Sequence, residues 1–240
     1  MRVQESLEID GSEDEGTSTD VRVFLDATGF LGVARHTATK IRIGPNRERS
    51  IGSGEYELPT GQLIVRSHPD YRRFVPGILM HEAGHGLHAV LAGFDRGQEW
   101  FERYAADVVL RPETASSYAD SFIASDETIL SVTNGRLGVT FLQESFAEDF
   151  MHYWLDQDRV PSARRHIFDE IADTVFPSVD RENLRANIRQ FMRQTYHVSP
   201  AEVIPPDSCE ISQILANDRI KEARENAEKH SARPAVTNET

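Results

Sequence analysis

The stretch "LMHEAGHGLH", residues 79–88, carries three histidines, a glutamate and two glycines in a chain whose composition is otherwise ordinary. Its residues 81–85 read HEAGH, which is the pattern HExxH. Chance would produce this pattern only about 0.03 times in a chain of this length and composition. The surrounding run "PGILMHEAGHGLHAVLAG" has apolar residues at helical spacing, with Pro76 suited to the first turn and Gly93 to the end. We therefore predict a buried helix over residues 77–92.

The HExxH spacing predicts a metal site on this helix. Residues four positions apart project from one face, so the imidazoles of His81 and His85 can reach the same ion. Glu82 would lie beside the remaining coordination position, where a metal-bound water can transfer a proton to its carboxylate. The alternative is a buried helix with incidental histidines, but buried polar groups need partners and a metal supplies one. We predict one Zn²⁺ per chain, bound by His81 and His85, with Glu82 as the catalytic base.

A catalytic zinc site needs a third protein ligand, and the segment "QESFAEDF" provides the best candidate. Thr140 and Gln143 form a capping-box pattern that opens a helix just before it. Glu144 and Glu148 then lie one turn apart among apolar residues, a costly arrangement unless something positive lies between them. We predict Glu144 as the third ligand and Glu148 as the acceptor of the second ring N–H of a liganding histidine.

Three alternatives compete with this assignment. Glu144 and Glu148 could belong to an exposed acidic stripe on an ordinary surface helix. Glu102, in "EWFERYAAD", is a rival third ligand. His88 lies seven residues from His81, about 10.5 Å along a helix axis, which is too far for one ion. We therefore expect His88 to pack or to form a hydrogen bond beside the site.

HExxH on one helix and "ExFAE" on a later one resemble zinc metallopeptidases of the gluzincin class. The patterns are similar to those of the catalytic domain of anthrax lethal factor and of the Pro-Pro endopeptidases. The resemblance covers about residues 60–160 and implies zinc ligation by Glu144 and support of a histidine by Glu148. It also places "GQLIVRS", residues 61–67, where such enzymes have the edge strand that pairs with an extended substrate.

The chain departs from this pattern at one position. These relatives carry a tyrosine seven residues before the third ligand, where it can stabilise the oxyanion, and this chain has Leu137 there. Loss of an oxyanion donor typically costs about 10²–10³ in rate. Tyr118, His152 and Tyr153 are the candidate substitutes, and the spacing favours none of them.

Composition restricts the classes of partner. The net charge of −13, much of it within residues 1–20, argues against nucleic acid and anionic membranes, which require clustered Lys and Arg. The single cysteine, Cys209, excludes an internal disulfide framework and a cysteine-rich zinc finger. We expect no membrane span and see no secretory signal, so we expect the protein to be cytoplasmic or exported by a non-classical route. Oligomeric state stays open.

The expected fold class is α+β: a zincin-like metallopeptidase fold with a small mixed sheet on the active-site helix and a mostly helical C-terminal half. Strands are predicted near residues 21–26, 40–44 and 62–66. We expect residues 1–19 to be a disordered acidic segment, residues 20–216 to form the domain, and residues 217–240 to be a charged, flexible tail.

The expected function is hydrolysis of a peptide bond in a peptide or protein substrate by a zinc-dependent endopeptidase. One alternative is a non-catalytic zinc protein in which the metal holds helices together, although such a site has no use for a glutamate at position 82. The other is a zinc hydrolase of a non-peptide amide or ester.

Overall fold

The computed structural model describes residues 7–12, 14–45, 52–67, 69–111 and 136–199. These residues form four strands, seven α-helices and short 3₁₀ and π turns. The strands are β1 (Glu8–Asp10), β2 (Lys40–Pro45), β3 (Gly52–Glu57) and β4 (Gln62–Ser67). The helices are α1 (Glu15–Thr28), α2 (Leu31–Thr37), α3 (Val75–Leu91), α4 (Gly97–Leu110), α5 (Arg136–Leu155), α6 (Ser162–Val175) and α7 (Arg181–Phe191).

Helix α3, which carries HExxH, is the centre of the fold. It packs against β3 and β4 on one side and against α5 on another, and it also contacts α1 and α2. Leu79, Met80 and Leu87 on this helix are fully buried. Each such side chain contributes about 1.5–3 kcal/mol of transfer free energy, so α3 is held mainly by apolar burial. The predicted helix over residues 77–92 is confirmed, with small differences at both ends.

The sheet is mixed, and its strand order is β1-β2-β4-β3. Strands β1, β2 and β4 are parallel, and β3 is antiparallel to β4. The predicted strands at residues 40–44 and 62–66 are confirmed as β2 and β4. However, β4 has a neighbour on each side, so the prediction that residues 61–67 form the edge strand is wrong. Among the described residues, β3 is the edge strand next to β4. Its glycines have low strand propensity, so the sequence did not predict a strand there.

The strand predicted at residues 21–26 is also wrong, because this segment belongs to α1. The alternation of Val21, Val23 and Leu25 suggested a strand, but Val23 is 49% exposed while Val21 and Leu25 are buried. The buried residues Phe24 and Leu25 lie three and four positions after Val21, as on one face of a helix. Asp14 caps the helix by accepting a hydrogen bond from the Thr17 backbone N–H at 3.0 Å, and Gly29 ends it in the left-handed conformation.

The acidic N-terminal segment is more structured than expected over the part the structure describes. Glu8–Asp10 form β1, and α1 begins at Glu15, so disorder throughout residues 1–19 is wrong for these elements. Lys40 explains part of the order, because its ammonium lies 3.0 Å from the carboxylates of both Glu8 and Asp10. The predicted tail, residues 217–240, lies outside the described residues.

The observed class is mixed α+β with a small mixed sheet, as predicted, and residues 136–199 of the described part are mostly helical. Helices α6 and α7 each bury apolar residues along one face. Within the described residues, every helix is too short or too polar to cross a membrane.

A cluster of ion pairs and hydrogen bonds links α4 to α6. The carboxylate of Glu170 on α6 accepts hydrogen bonds from Arg96 at 2.9 Å, from the Trp100 indole N–H at 3.1 Å, and from Arg103 at 2.8 and 3.0 Å. The hydrogen bonds from Arg103 lead the interactions that lower the pKa of Glu170 to about 2. This cluster keeps α4 and α6 in register beside α5.

We expect Glu170→Gln to lower the free energy of unfolding by about 1–2 kcal/mol at pH 7, because the charged acceptor of several hydrogen bonds is lost. A carboxyl whose folded-state pKa is depressed stabilises the protein above its unfolded-state pKa and loses that contribution as pH falls. The difference between parent and variant should therefore shrink between the ordinary glutamate pKa of 4.5 and about pH 2. Urea unfolding at a series of pH values measures it.

The matched control is Glu102→Gln, since Glu102 is exposed on α4 and accepts a hydrogen bond from the neutral Gln98 at 2.8 Å. Its stability should stay within about 0.5 kcal/mol of the parent. A loss for Glu170→Gln that does not change with pH would contradict the assigned ionic interaction.

Candidate metal centre

Helices α3 and α5 bring the three predicted ligands together. The Nε2 atoms of His81 and His85 are 3.1 Å apart. Glu144 Oε2 lies 3.3 Å from Nε2 of His81 and 3.4 Å from Nε2 of His85. The three atoms thus form a nearly equilateral triangle, and within the described residues this is the one group of His, Cys, Asp or Glu with metal-binding spacing.

The size of this triangle fits a single metal ion. An ion bound tetrahedrally at about 2.0–2.1 Å from its ligands separates those ligands by about 3.3–3.4 Å. The carboxylate oxygen that faces both histidines, Glu144 Oε2, is buried without a hydrogen bond of normal geometry. A buried oxygen that approaches two ring nitrogens in this way is what a ligand of a shared cation requires. His81, His85 and Glu144 can therefore hold a metal ion.

Glu148 lies behind His81, one helical turn after Glu144. Its Oε1 is 3.0 Å from Nδ1 of His81, the ring nitrogen that faces away from the triangle. A carboxylate at this place favours the tautomer that carries its proton on Nδ1 and directs the Nε2 lone pair toward the triangle. The second oxygen, Oε2, lies 3.9 Å from Nε2 of the buried His152.

The close crossing of α3 and α5 depends on two small residues. A Cβ atom added to Gly84 would lie 2.7 Å from Cα of Ala147 and 3.1 Å from its carbonyl oxygen. The two helix backbones therefore touch at this point. Because Gly84 precedes His85 and Ala147 precedes Glu148, the contact brings the polar side chains of both helices together.

The charges around the triangle favour a cation. Burial opposes protonation of His81, but the adjacent carboxylates of Glu144 and Glu148 outweigh it and raise the pKa of His81 well above its ordinary value. Burial works against the charge of Glu144 too, yet His81 and His85 lower its pKa to about 2. The carboxylates thus favour a positive charge at His81, whether a proton or a metal ion supplies it.

Glu82 lies on the side of the cluster that faces the sheet. Its side chain is 6% exposed and packs directly against Gly54 of β3. Burial raises the pKa of Glu82, and the nearby charges of His81 and His85 oppose the rise. The carboxyl group therefore lies within electrostatic range of both histidines.

A buried ionic network holds α5 from its other side. The guanidinium of Arg164 on α6 is fully buried and donates to Asp149 at 3.0 Å and to Asp107 at 2.8 Å. Tyr104 on α4 donates its hydroxyl to Asp149 at 2.6 Å. Asp149 directly follows Glu148, so this network fixes the rotation of α5 that presents Glu144 and Glu148 to α3.

The structure does not bring the other candidates to the ligand triangle. His88 packs against Phe101, with ring centroids 4.3 Å apart and tilted ring planes, as expected for a residue that packs beside the site. Glu102 is exposed on α4, outside the ligand group. Tyr153 is 1% exposed and donates its hydroxyl to Asp169 at 2.7 Å, so it is wrong as an oxyanion donor.

His152 and Tyr118 are the remaining candidates for stabilising the oxyanion. His152 is buried beside Glu148, where its contact is with that carboxylate rather than with the open side of the triangle. It therefore does not have the position that a donor to substrate needs. Tyr118 lies outside the described residues, so its role stays a prediction.

Sequence reasoning did not identify two groups that build the site. The first is the Gly84–Ala147 contact, which small residues in "HEAGH" and "SFAED" could have indicated, because small residues mark close helix approach. The second is the network of Arg164, Asp149 and Tyr104. No spacing rule joins these three residues, since they come from three different helices.

Comparison of the chain with protein-family models, with curated proteins and with solved structures finds no match. The functional argument therefore depends on the chain's own residues and their geometry.

We expect Glu144→Gln and Glu148→Gln to weaken metal binding by different amounts. Loss of Glu148 should lower the affinity for Zn²⁺ about 10–100-fold, the typical effect of removing a group that orients a liganding histidine. Loss of Glu144 should lower it further, because a ligand is removed. Competition with a chromogenic chelator measures both, and Glu102→Gln is the control for the rival ligand. Equal affinity for parent and Glu144→Gln would contradict the assignment.

We expect Gly84→Ala to lower both stability and metal affinity. Alanine favours a helix over glycine by about 1 kcal/mol, but the new methyl group meets the backbone of Ala147, and such overpacking costs about 1–3 kcal/mol. Separation of the helices should also lower Zn²⁺ affinity at least about tenfold, since ligands on both helices must reach one ion.

The matched control is Gly93→Ala, where an added Cβ would meet only Val90 O, at 3.4 Å. Thermal unfolding and chelator competition compare the two variants. A Gly84→Ala protein with parental Zn²⁺ affinity would show that the crossing distance does not limit the site.

Proposed function

We propose that this chain is a zinc-dependent endopeptidase of the gluzincin type, with a zincin-like fold. The observation that carries the proposal is the triangle of His81, His85 and Glu144, with Glu148 behind His81 and Glu82 beside the ligands. Two helices from distant parts of the sequence build this arrangement, and its residues are those that HExxH and "ExFAE" predict.

The donor set supports zinc as the metal. Two neutral imidazoles and one carboxylate suit Zn²⁺ better than Mg²⁺ or Ca²⁺, which prefer oxygen ligands. Three protein ligands on a tetrahedral ion leave one position for water or substrate, whereas structural zinc sites usually have four protein ligands. The donor set therefore favours a catalytic site over a purely structural one.

The proposed reaction divides the chemistry between the metal and the protein. Zinc at this site would polarise the scissile carbonyl and lower the pKa of the attacking water. Glu82 would accept the proton of that water and then donate it to the leaving amine. Glu148 would hold His81 in the tautomer that binds metal. Together these steps break the C–N bond and consume one water molecule.

Strand β3 is the proposed binding site for an extended substrate. It is antiparallel to β4, lies at the edge of the described sheet and packs against α3 beside Glu82. A substrate that adds to this edge would gain main-chain hydrogen bonds and pass next to the metal ligands. This proposal moves the substrate strand from residues 61–67, where the resemblance placed it, to Gly52–Glu57.

The test is digestion of a diverse peptide library with the zinc-loaded full chain, read by mass spectrometry, beside Glu82→Gln. We expect the parent to produce defined cuts and the variant to be slower by about 10²–10⁴, the usual contribution of a general base. Zinc content and circular dichroism of both proteins establish that the variant is folded and loaded. Removal of zinc with a chelator should abolish the cuts, and re-addition should restore them.

Other outcomes would favour the alternative functions. A protein that holds one zinc, cuts no peptide and unfolds when a chelator removes the zinc would support the alternative of a non-catalytic protein with a structural zinc. Equal cutting by parent and Glu82→Gln would exclude Glu82 as the base. If peptides are inert, non-peptide amides and esters are the next substrates to assay.

A further inference from the structure

Gly54 of β3 occupies a place where the site has no room for a side chain. A Cβ atom added there would lie 2.3 Å from both Cγ and Oε1 of Glu82 and 2.6 Å from its Cδ. These distances are far inside van der Waals contact. The carboxyl group of Glu82 thus lies in the volume that the side chain of any other residue at position 54 would fill.

The register of the sheet explains why this volume is directed toward α3. Gly54 pairs with Val65 of β4, and directly paired residues place their side chains on the same face. Val65 is fully buried in the core, and both β3 and β4 contact α3. Its partner position is therefore the point at which β3 passes over Glu82.

We propose that Gly54 is a positioning residue, which sets the location of the Glu82 carboxylate by leaving it space beneath β3. This inference rests on the proposed function, because it concerns the base of that reaction. The three atoms nearest to the Cβ of an alanine at position 54 belong to the side chain of Glu82. The methyl group would therefore displace the carboxylate while the metal ligands and the strand pairing stay in place.

The test compares Gly54→Ala with Gly44→Ala in the zinc-loaded full chain. At Gly44 on the neighbouring strand β2, an added Cβ meets Arg66 Cγ at 3.7 Å, an ordinary contact. We expect Gly54→Ala to lower kcat about 10–100-fold, with KM and Zn²⁺ affinity within about threefold of the parent, because misplacement by about 1 Å is enough. Gly44→Ala should keep the parental kcat.

A double-mutant cycle measured by thermal unfolding tests the contact without depending on activity. Alanine is introduced at position 54 in the parent and in Glu82→Ala, where the obstructing carboxyl group is absent. We expect the change in Tm on introducing alanine to be at least about 2 °C more favourable in Glu82→Ala than in the parent. Gly44→Ala should change Tm equally in both backgrounds.

The outcomes separate this inference from the proposed function. Equal Tm changes for Gly54→Ala in the two backgrounds would overturn the contact with Glu82. Parental kcat in Gly54→Ala, or a parallel loss of kcat and zinc, would overturn the positioning role. A parent that cuts no substrate would overturn the proposed function and the role of Gly54 in turnover, while the Tm cycle would still decide the contact.

Discussion

The contact between the backbones of α3 and α5 at Gly84 and Ala147 is the constraint on which the site depends. Ligands that belong to one metal ion must lie within about 3.4 Å of one another, so the two helices have to approach closely. Side chains larger than those of Gly and Ala would keep them apart. HExxH supplies one pair of ligands, but the crossing brings the carboxylate of Glu144 to that pair.

This arrangement has a cost that the rest of the fold offsets. Glu82, Glu144 and Glu148 place three carboxylates around two imidazoles in a largely buried region, where uncompensated charge is strongly unfavourable. A bound cation would offset much of this cost. Buried apolar side chains on α3 and α5 and the buried ionic network at Arg164 also hold the helices in place. The metal centre therefore depends on a scaffold that is stable for other reasons.

The sequence predicted features that depend on neighbouring residues better than features that depend on contacts between distant segments. His81, His85, Glu144 and Glu148 could be predicted, because helical spacing places each pair on one face and chemistry joins the pairs. The strand expected at residues 21–26 failed, because Val21, Val23 and Leu25 alternate in a segment whose burial follows a helical period. Tyr153 failed as an oxyanion donor because α6 supplies Asp169 as the partner of its hydroxyl. Strand β3 was missed because its glycines and glutamates have low strand propensity.

The sequence by itself determined the local features of this protein: the helix that carries HExxH, the helix that carries "ExFAE", and the residue types able to bind a metal. These features follow from spacing along the chain, and a periodic pattern contains that information. Only the tertiary structure decided which strand lies at the edge beside Glu82, how closely α3 and α5 cross, and why position 54 is a glycine. These depend on which distant segments occupy the same space, and packing rather than local propensity determines that.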